Sequence, residues 1–102
     1  MKKEKTIIVG KIIEKHRRKQ LLSQEDLADL SQKDRNTISD LERDQYNPSF
    51  GTIYSLAAAL GMKPSELVRE IEELEENAVY FNELLREIEE KKIFNKKNKR
   101  SR

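Results

Sequence analysis

The segment from residue 34 to residue 42 is rich in side chains that form strong hydrogen bonds. Four of them have the chemistry needed to read DNA bases, and these are Arg35, Asn36, Thr37 and Asp40. Arginine can bind guanine O6 and N7, asparagine can pair with adenine, threonine can touch a thymine methyl, and aspartate can accept from cytosine N4. Ile38 and Leu41 recur at a helical spacing, so a helix here would bury these two residues and turn the polar ones outward. The pattern is typical of a helix that enters a major groove.

Simpler roles remain open for the same side chains. Arg35 or Thr37 can bind a phosphate instead of a base. Asp40 can repel incorrect sequences, or form a surface ion pair with Arg43 or Lys33. Two short amphipathic helices also occur in domains that bind no nucleic acid, so this segment alone leaves both interpretations open.

The elements that position this segment are two short helices joined by a tight turn. Ser23 can cap the first helix, and Asp26 stands three residues later, near the position of the acidic residue in a capping box. Asp34 can cap the second helix. The apolar residues expected on the inward face of the first helix are Leu27, Ala28 and Leu30.

Composition limits the class of protein. With 102 residues, 39% of them charged, the chain suffices for one compact domain with an extension. Three glycines, two prolines and helical apolar spacing predict an all-α fold. The chain has no cysteine, no apolar run near 18 residues and no signal peptide, so we expect a soluble cytoplasmic protein that contacts no membrane.

Catalytic patterns are missing from the sequence. It contains no glycine-rich phosphate loop, no nucleophile–base arrangement and no paired metal-ligand spacing. His16 is the only histidine and fits the edge of a core better than a metal site. We therefore expect no enzymatic activity, no metal and no cofactor.

Charge is distributed unevenly along the chain. Residues 1–64 carry 12 basic and 9 acidic side chains, residues 65–90 carry 2 basic and 10 acidic ones, and residues 91–102 carry 7 basic and none acidic. Only the two basic blocks are electrostatically suited to a phosphate backbone. For the last block, composition predicts disorder, with a DNA-binding arm or a contact to the acidic helix as alternatives.

Three further helices are expected around the central pair. The first runs from about residue 6 to residue 20. Another follows Asn47-Pro48 with Ser49 as its cap and ends before Gly61, which fits the position just after a helix. Pro64 suits the first turn of a fifth helix.

Five linked segments now carry a specific resemblance. They are SQEDLA at 23–28, TISDLER at 37–43, NPS at 47–49, LAAALG at 56–61 and PSEL at 64–67. In order and spacing they resemble the Cro/C1-type (xenobiotic response element) helix-turn-helix family of bacterial and phage repressors, from about residue 10 to residue 68. The resemblance implies a five-helix repressor-like domain whose third helix, about 35–42, lies in the major groove.

The resemblance also assigns residues around that helix. It implies a structural ion pair between Arg17 and Glu42, with some phosphate contact from Arg17. The residues that it places against the DNA backbone are Ser23, Gln24, Arg43, Tyr46 and Asn47. Gln32 and Leu21 stand where the family favours glycine, so we expect a left-handed backbone at Gln32.

A heptad pattern follows the family segment. Its apolar positions from residue 71 onward are Ile71, Leu74, Ala78, Phe81, Leu85 and Ile88. These residues predict a helix that pairs with a second copy. Flanking glutamates favour an antiparallel or splayed pair over a parallel one. The alternative is a break near Asn77, after which the helix folds back on its own domain.

Together these features predict a domain at 6–69, a dimerisation extension at 70–90 and a basic tail at 91–102. The expected function is sequence-specific regulation of transcription, by a dimeric repressor or a restriction–modification controller bound to a palindromic double-stranded operator. The alternative is an antitoxin that binds a toxin protein and regulates its own operon. A helix-turn-helix used only for protein contacts is a third possibility.

Overall fold

The computed structural model describes the backbone of residues 7–100 and the side chains of residues 7–99. It contains α1 (Gly10–Lys19), α2 (Gln24–Ser31), α3 (Arg35–Glu42), α4 (Phe50–Ala59), α5 (Pro64–Glu73) and α6 (Glu75–Arg100). Within residues 7–100 every regular element is a helix, which confirms the all-α prediction. No helix in this range is both long enough and apolar enough to cross a membrane.

Helices α1 to α5 enclose one apolar core. The largest fully buried side chains are Ile13, Leu27, Ile38, Leu41, Leu56 and Leu67, so each of these five helices contributes at least one. Removing this apolar surface from water is the main force that holds such short helices together.

Leu30 corrects the predicted inward face of α2. Leu27 and Ala28 are buried as expected, but Leu30 is 55% exposed. The third buried position is Ser31, whose hydroxyl donates to the Leu27 carbonyl at 2.7 Å. Residues 27, 28 and 31 lie on one side of a 3.6-residue helix, whereas residue 30 projects well away from their centre.

Most helix ends follow local signals. Ser23 and Asp26 form a reciprocal capping box, with both hydrogen bonds at 2.9 Å. Asp34 accepts from the Asn36 amide at 2.8 Å and caps α3. Gln32 has φ of 58°, which confirms the left-handed conformation expected there. Leu21, the other departure from the family pattern, has φ of 60°.

The start of α1 differs from the prediction. The helix begins at Gly10 rather than near residue 6, and residue 6 lies outside the described residues. Val9 and Gly10 donate their amides to one oxygen of the Asp44 carboxylate, at 2.8 and 2.9 Å. A β-carbon on Gly10 would lie 2.2 Å from the Glu42 carbonyl oxygen. Only glycine therefore lets α1 approach the end of α3 so closely.

The C-terminal heptad pattern is divided between two helices. Leu74, with φ −63° and ψ 134°, interrupts the helix between α5 and α6. Ile71 is buried in the domain core and Leu74 packs against it, so the predicted boundary at 69/70 falls inside α5. Residues 91–100, for which composition predicts disorder, form the last part of α6. The final two residues lie outside the described range.

Asn77 fastens the start of α6 to the domain. Its side-chain oxygen accepts from the Ile8 amide at 2.8 Å, and its nitrogen donates to the carbonyls of Ile8 and Ile71 at 2.8 and 2.7 Å. A buried amide that satisfies three backbone groups fixes the direction in which α6 leaves α5. The chain does change direction close to Asn77, but after that α6 continues outward: every side chain from Leu85 to Lys99 is exposed.

Candidate nucleic-acid interface

Helix α3 is anchored by two side chains and open on the opposite side. Ile38 and Leu41 have no solvent exposure. Arg35 and Asn36 are exposed, and neither side chain forms a hydrogen bond within residues 7–99. A fixed helix with free polar groups at its N-terminal end has the geometry of an element that inserts into a groove.

Thr37 and Asp40 are less accessible than the first two predicted base-reading residues. Both are half-buried. The Arg43 guanidinium donates to the Asp40 carboxylate at 2.7 Å, so the surface pair considered as an alternative role for Asp40 is present. Both charges are partly solvated. Any ligand of either side chain must compete with this contact.

A buried ionic cluster joins α1, α2 and α3. Arg17 donates from Nε and Nη2 to the two carboxylate oxygens of Glu42, at 2.5 and 2.9 Å. The third nitrogen of Arg17 donates to the Leu22 carbonyl at 2.9 Å, and Gln24 donates to Glu42 at 3.1 Å. The hydrogen bond with Glu42 raises the pKa of Arg17, against the effect of burial.

Two residues of this cluster, Arg17 and Gln24, were predicted to contact phosphate, and their internal hydrogen bonds limit the donors that they can offer. Arg17 is only 7% exposed and each of its three guanidinium nitrogens donates one hydrogen bond within the protein, so little of the guanidinium faces solvent for the expected phosphate contact. Gln24 is half-buried, and its amide nitrogen already serves Glu42. The hydrogen bond between Gln24 and Glu42 holds the first turn of α2 against the end of α3, and Arg17 neutralises the Glu42 carboxylate at the same point.

Four of the predicted phosphate-contacting residues lie at the surface. These are Ser23, Arg43, Tyr46 and Asn47. Ser23 opens α2, where its capping-box partner Asp26 carries a carboxylate whose pKa is lowered by hydrogen bonds from the Ser23 backbone and side chain. The other three follow or end α3, so the polar surface continues from α3 into the next loop.

Sequence reasoning missed Asp44 and Gly10, which set the position of α3. Asp44 lies two residues after α3, has φ of 55°, and caps α1 through bonds that span 34 and 35 residues. An acidic residue in a turn carries no local sign that it will cap a distant helix. Gly10 was visible only as a glycine near the start of a helical pattern.

Within the described side chains, no group of three or more histidine, aspartate or glutamate residues is placed to hold a metal ion. The polar groups around α3 thus form a hydrogen-bonding and charged surface.

Comparison with known proteins identifies the architecture around α3. The helix-turn-helix family matches residues 13–67, more than half of the chain. The immunity repressor protein of Bacillus phage phi105 is 36% identical over 74 residues, which are 72% of this chain and 51% of that protein. The chain therefore spans about half the length of this curated relative.

Two solved structures are similar to the same region. One is the restriction-modification controller protein C.AhdI from Aeromonas hydrophila, with 41% identity and a TM-score of 0.57, covering 60% of this chain and 92% of that chain. The other is a point mutant of the restriction-modification controller protein C.Esp1396I, with 28% identity and a TM-score of 0.59, covering 64% and 84%. The protein belongs to the Cro/C1-type helix-turn-helix family of DNA-binding transcriptional regulators.

Proposed function

We propose that the protein is a homodimeric, sequence-specific repressor that acts in the cytoplasm by occupying a palindromic operator. The observation that carries the proposal is the exposure of Arg35 and Asn36 on a helix whose other side is locked by Ile38 and Leu41. Such a helix presents base-reading groups at little entropic cost, because its backbone is fixed before DNA arrives. The proposal includes no catalytic step.

The base contacts proposed are those of the exposed end of α3. Arg35 binds guanine and Asn36 binds adenine in the major groove, with Thr37 and Asp40 reading neighbouring positions. Ser23, Arg43, Tyr46 and Asn47 hold the DNA backbone and so set the register. For Gln24 we retain its side-chain carbonyl oxygen, the second N–H of its amide and the adjacent backbone as interface groups, because Glu42 accepts from only one amide N–H.

Dimerisation is proposed for α6 rather than for the whole predicted heptad. Ile71 and Leu74 belong to the core of their own domain. Phe81, Leu85 and Ile88 are 58%, 45% and 47% exposed, and Ala78 is exposed beside them. Apolar side chains on one side of a projecting helix favour burial against a partner. Two copies would place two recognition helices on half-sites about one helical turn, roughly 34 Å, or a multiple of it apart.

The same exposed side chains support a second candidate, an antitoxin whose α6 binds a toxin protein. In that case α6 gains order only in the complex. A purified protein that is dimeric and fully helical through α6 would argue against this candidate. A monomer with a poorly ordered α6 would support it.

The proposed function is tested by binding of the protein to the DNA upstream of its own gene at two salt concentrations. We expect tight, salt-sensitive binding, because phosphate contacts release counterions. Arg35→Ala should weaken binding to the specific site by about 1–3 kcal/mol, or roughly 5- to 150-fold, and leave binding to unrelated DNA nearly unchanged. Arg18→Ala is the matched control, since Arg18 is exposed on α1 and pairs with Glu14. Equal losses on specific and unrelated DNA would show that Arg35 is a phosphate ligand.

A further inference from the structure

Helix α6 is divided into two oppositely charged halves. Residues 75–90 contain six acidic side chains and one basic side chain, whereas residues 91–100 contain six basic and no acidic ones. The acidic half starts next to α5, and the basic half is the part furthest along the helix. At 1.5 Å per residue the two ends of α6 are about 38 Å apart, so they cannot neutralise one another within one copy.

The apolar side chains of α6 have an internal symmetry. Ala78, Phe81, Leu85 and Ile88 lie at spacings of three, four and three residues, and these spacings read the same in both directions about residue 83. Two such stripes can therefore meet antiparallel with Ala78 opposite Ile88 and Phe81 opposite Leu85. Each layer then joins an a position with a d position, and every apolar member of the stripe is covered.

A groove beside this stripe adds to the apolar surface. It has a volume of about 340 Å³ and runs between α5 and the start of α6. Its apolar lining comes from Ile7, Val68, Ile71, Ala78 and Phe81. The groove and the stripe share Ala78 and Phe81, so one occupant can cover both.

We propose that the occupant is α6 of a second copy, running antiparallel, with its basic half lying over the acidic junction between α5 and α6. In the symmetric register residue 91 of one copy stands opposite residue 75 of the other. Residues 92–100 then extend along the end of α5. This inference deepens the proposed function, because it gives the proposed dimer an orientation and a register.

The acidic junction has carboxylates available for this contact. Glu70 and Glu76 are already paired, with Lys15 and Lys11. Glu72, Glu73 and Glu75 are exposed and form no ion pair within residues 7–99. These three are the ones that the basic half of the partner meets.

The basic half has matching cations. Lys91, Lys96 and Lys99 are exposed and are without an ion pair among the described side chains. An antiparallel pair forms this set of contacts twice. Residues 75–90 of the two copies face one another in either orientation. A parallel pair would in addition place basic half against basic half and leave the acidic junction without its cations, which costs free energy.

Single cysteines test the orientation, since the natural chain has none. Chains carrying Ala78→Cys and Ile88→Cys, one of them with a mass tag, are oxidised separately and after mixing. The antiparallel pair predicts a disulfide in the mixture between the two different chains and little in either chain alone. Two copies of residue 78 would be offset by ten residues, about 15 Å, too far to be bridged. Disulfides within each separate sample would show a parallel pair, and no disulfide in any sample would overturn α6 pairing.

Charge reversal provides a second test that needs no disulfide. One variant changes Glu72, Glu73 and Glu75 to lysine, and the other changes Lys91, Lys96 and Lys99 to glutamate. Each alone should weaken dimerisation about tenfold or more in sedimentation analysis, and mixing the two should restore dimers between unlike chains. Unchanged dimerisation of both variants would refute the charged contact. These assays contain no DNA, so the inference can fail while operator binding persists, and the reverse outcome is equally visible.

Discussion

Arg17 of α1 and Glu42 of α3 are joined by two parallel hydrogen bonds, 2.5 and 2.9 Å long, with both side chains almost completely shielded from water. The pair lies at the point where α1, α2 and the end of α3 meet. A bidentate contact of this kind fixes an angle as well as a distance.

Loss of one member of this pair should destabilise the fold strongly. Arg17→Met leaves the Glu42 carboxylate buried without its cation, and we expect the free energy of unfolding to fall by about 3–5 kcal/mol. Urea unfolding followed by circular dichroism measures the change. Arg18→Met is the control, because Arg18 forms an exposed pair with Glu14 and should cost about 1 kcal/mol or less. The double variant Arg17→Met/Glu42→Met should recover part of the lost stability. Equal losses of unfolding free energy for Arg17→Met and Arg18→Met would refute the structural role of the Arg17–Glu42 pair.

The contact between Asp40 and Arg43 should restrain binding to unrelated DNA. Asp40→Ala removes a negative charge from the interface and frees the Arg43 guanidinium. We expect tighter non-specific binding and a plot of log affinity against log salt that is steeper by about 0.9, the value for one added phosphate contact. Fluorescence anisotropy at several salt concentrations measures the slope. The control is Asp29→Ala, since Asp29 is exposed on α2 and its loss removes the same charge without freeing Arg43. An equal change in slope for Asp29→Ala would contradict the explanation.

The close approach at Gly10 should not tolerate even one methyl group. Gly10→Ala places a β-carbon against the Glu42 carbonyl, and we expect a loss of about 3 kcal/mol or more, the upper part of the range for overpacking. Gly51→Ala is the matched control, because its nearest neighbour would be the Ser49 hydroxyl at 3.7 Å. Alanine there should stabilise α4 by up to about 1 kcal/mol. Thermal unfolding measures both variants. Melting temperatures that shifted in the same direction for Gly10→Ala and Gly51→Ala would contradict the explanation.

Glu70 should contribute stability that depends on pH. The hydrogen bond from Lys15, and then that from His16, lower the pKa of Glu70, although desolvation opposes them. A lowered pKa in the folded state stabilises the protein above the ordinary value near 4.5, and this contribution is lost as pH falls through the lowered value.

Glu70→Gln should therefore unfold at a lower temperature than the natural protein at pH 7. The difference should shrink as the pH drops below about 4.5. The control is Glu72→Gln, since Glu72 is exposed and forms no ion pair among the described residues. A difference for Glu70→Gln that stayed constant down to pH 2 would show that packing, rather than the ionised carboxylate, is responsible.

The parts of the fold that the sequence predicted well are those encoded by neighbours. Ser23, Asp34 and Ser49 cap helices within three residues of themselves, and each is visible as a polar residue before an apolar repeat. The Arg17–Glu42 contact was expected only because a family pattern carries information about residues far apart in the chain.

The break at Leu74 illustrates what the sequence could not reveal. The heptad spacing is the same on both sides of this residue, so periodicity alone predicts one continuous helix. The interruption instead accompanies hydrogen bonds between the Asn77 side chain and the backbone of Ile8, 69 residues away in the chain. The same limit applies to Asp44, whose partners Val9 and Gly10 lie 35 and 34 residues earlier in the chain.

Three consecutive residues, Ile8 to Gly10, connect α3 with α6. The Asn77 side chain of α6 bonds the backbone of Ile8, and the Asp44 carboxylate, just beyond α3, accepts from the amides of Val9 and Gly10. Hydrogen bonds to the same three-residue backbone segment thus fix both the direction of α6 and the position of α3. These hydrogen bonds involve backbone atoms of residues 8 to 10 and not their side chains. Their geometry therefore depends on the number of residues between the two anchors, which are Ile8 for Asn77 and Val9 for Asp44. Inserting or deleting one residue between the two anchors would therefore move α6 relative to α3, even if every apolar contact of the core could still form.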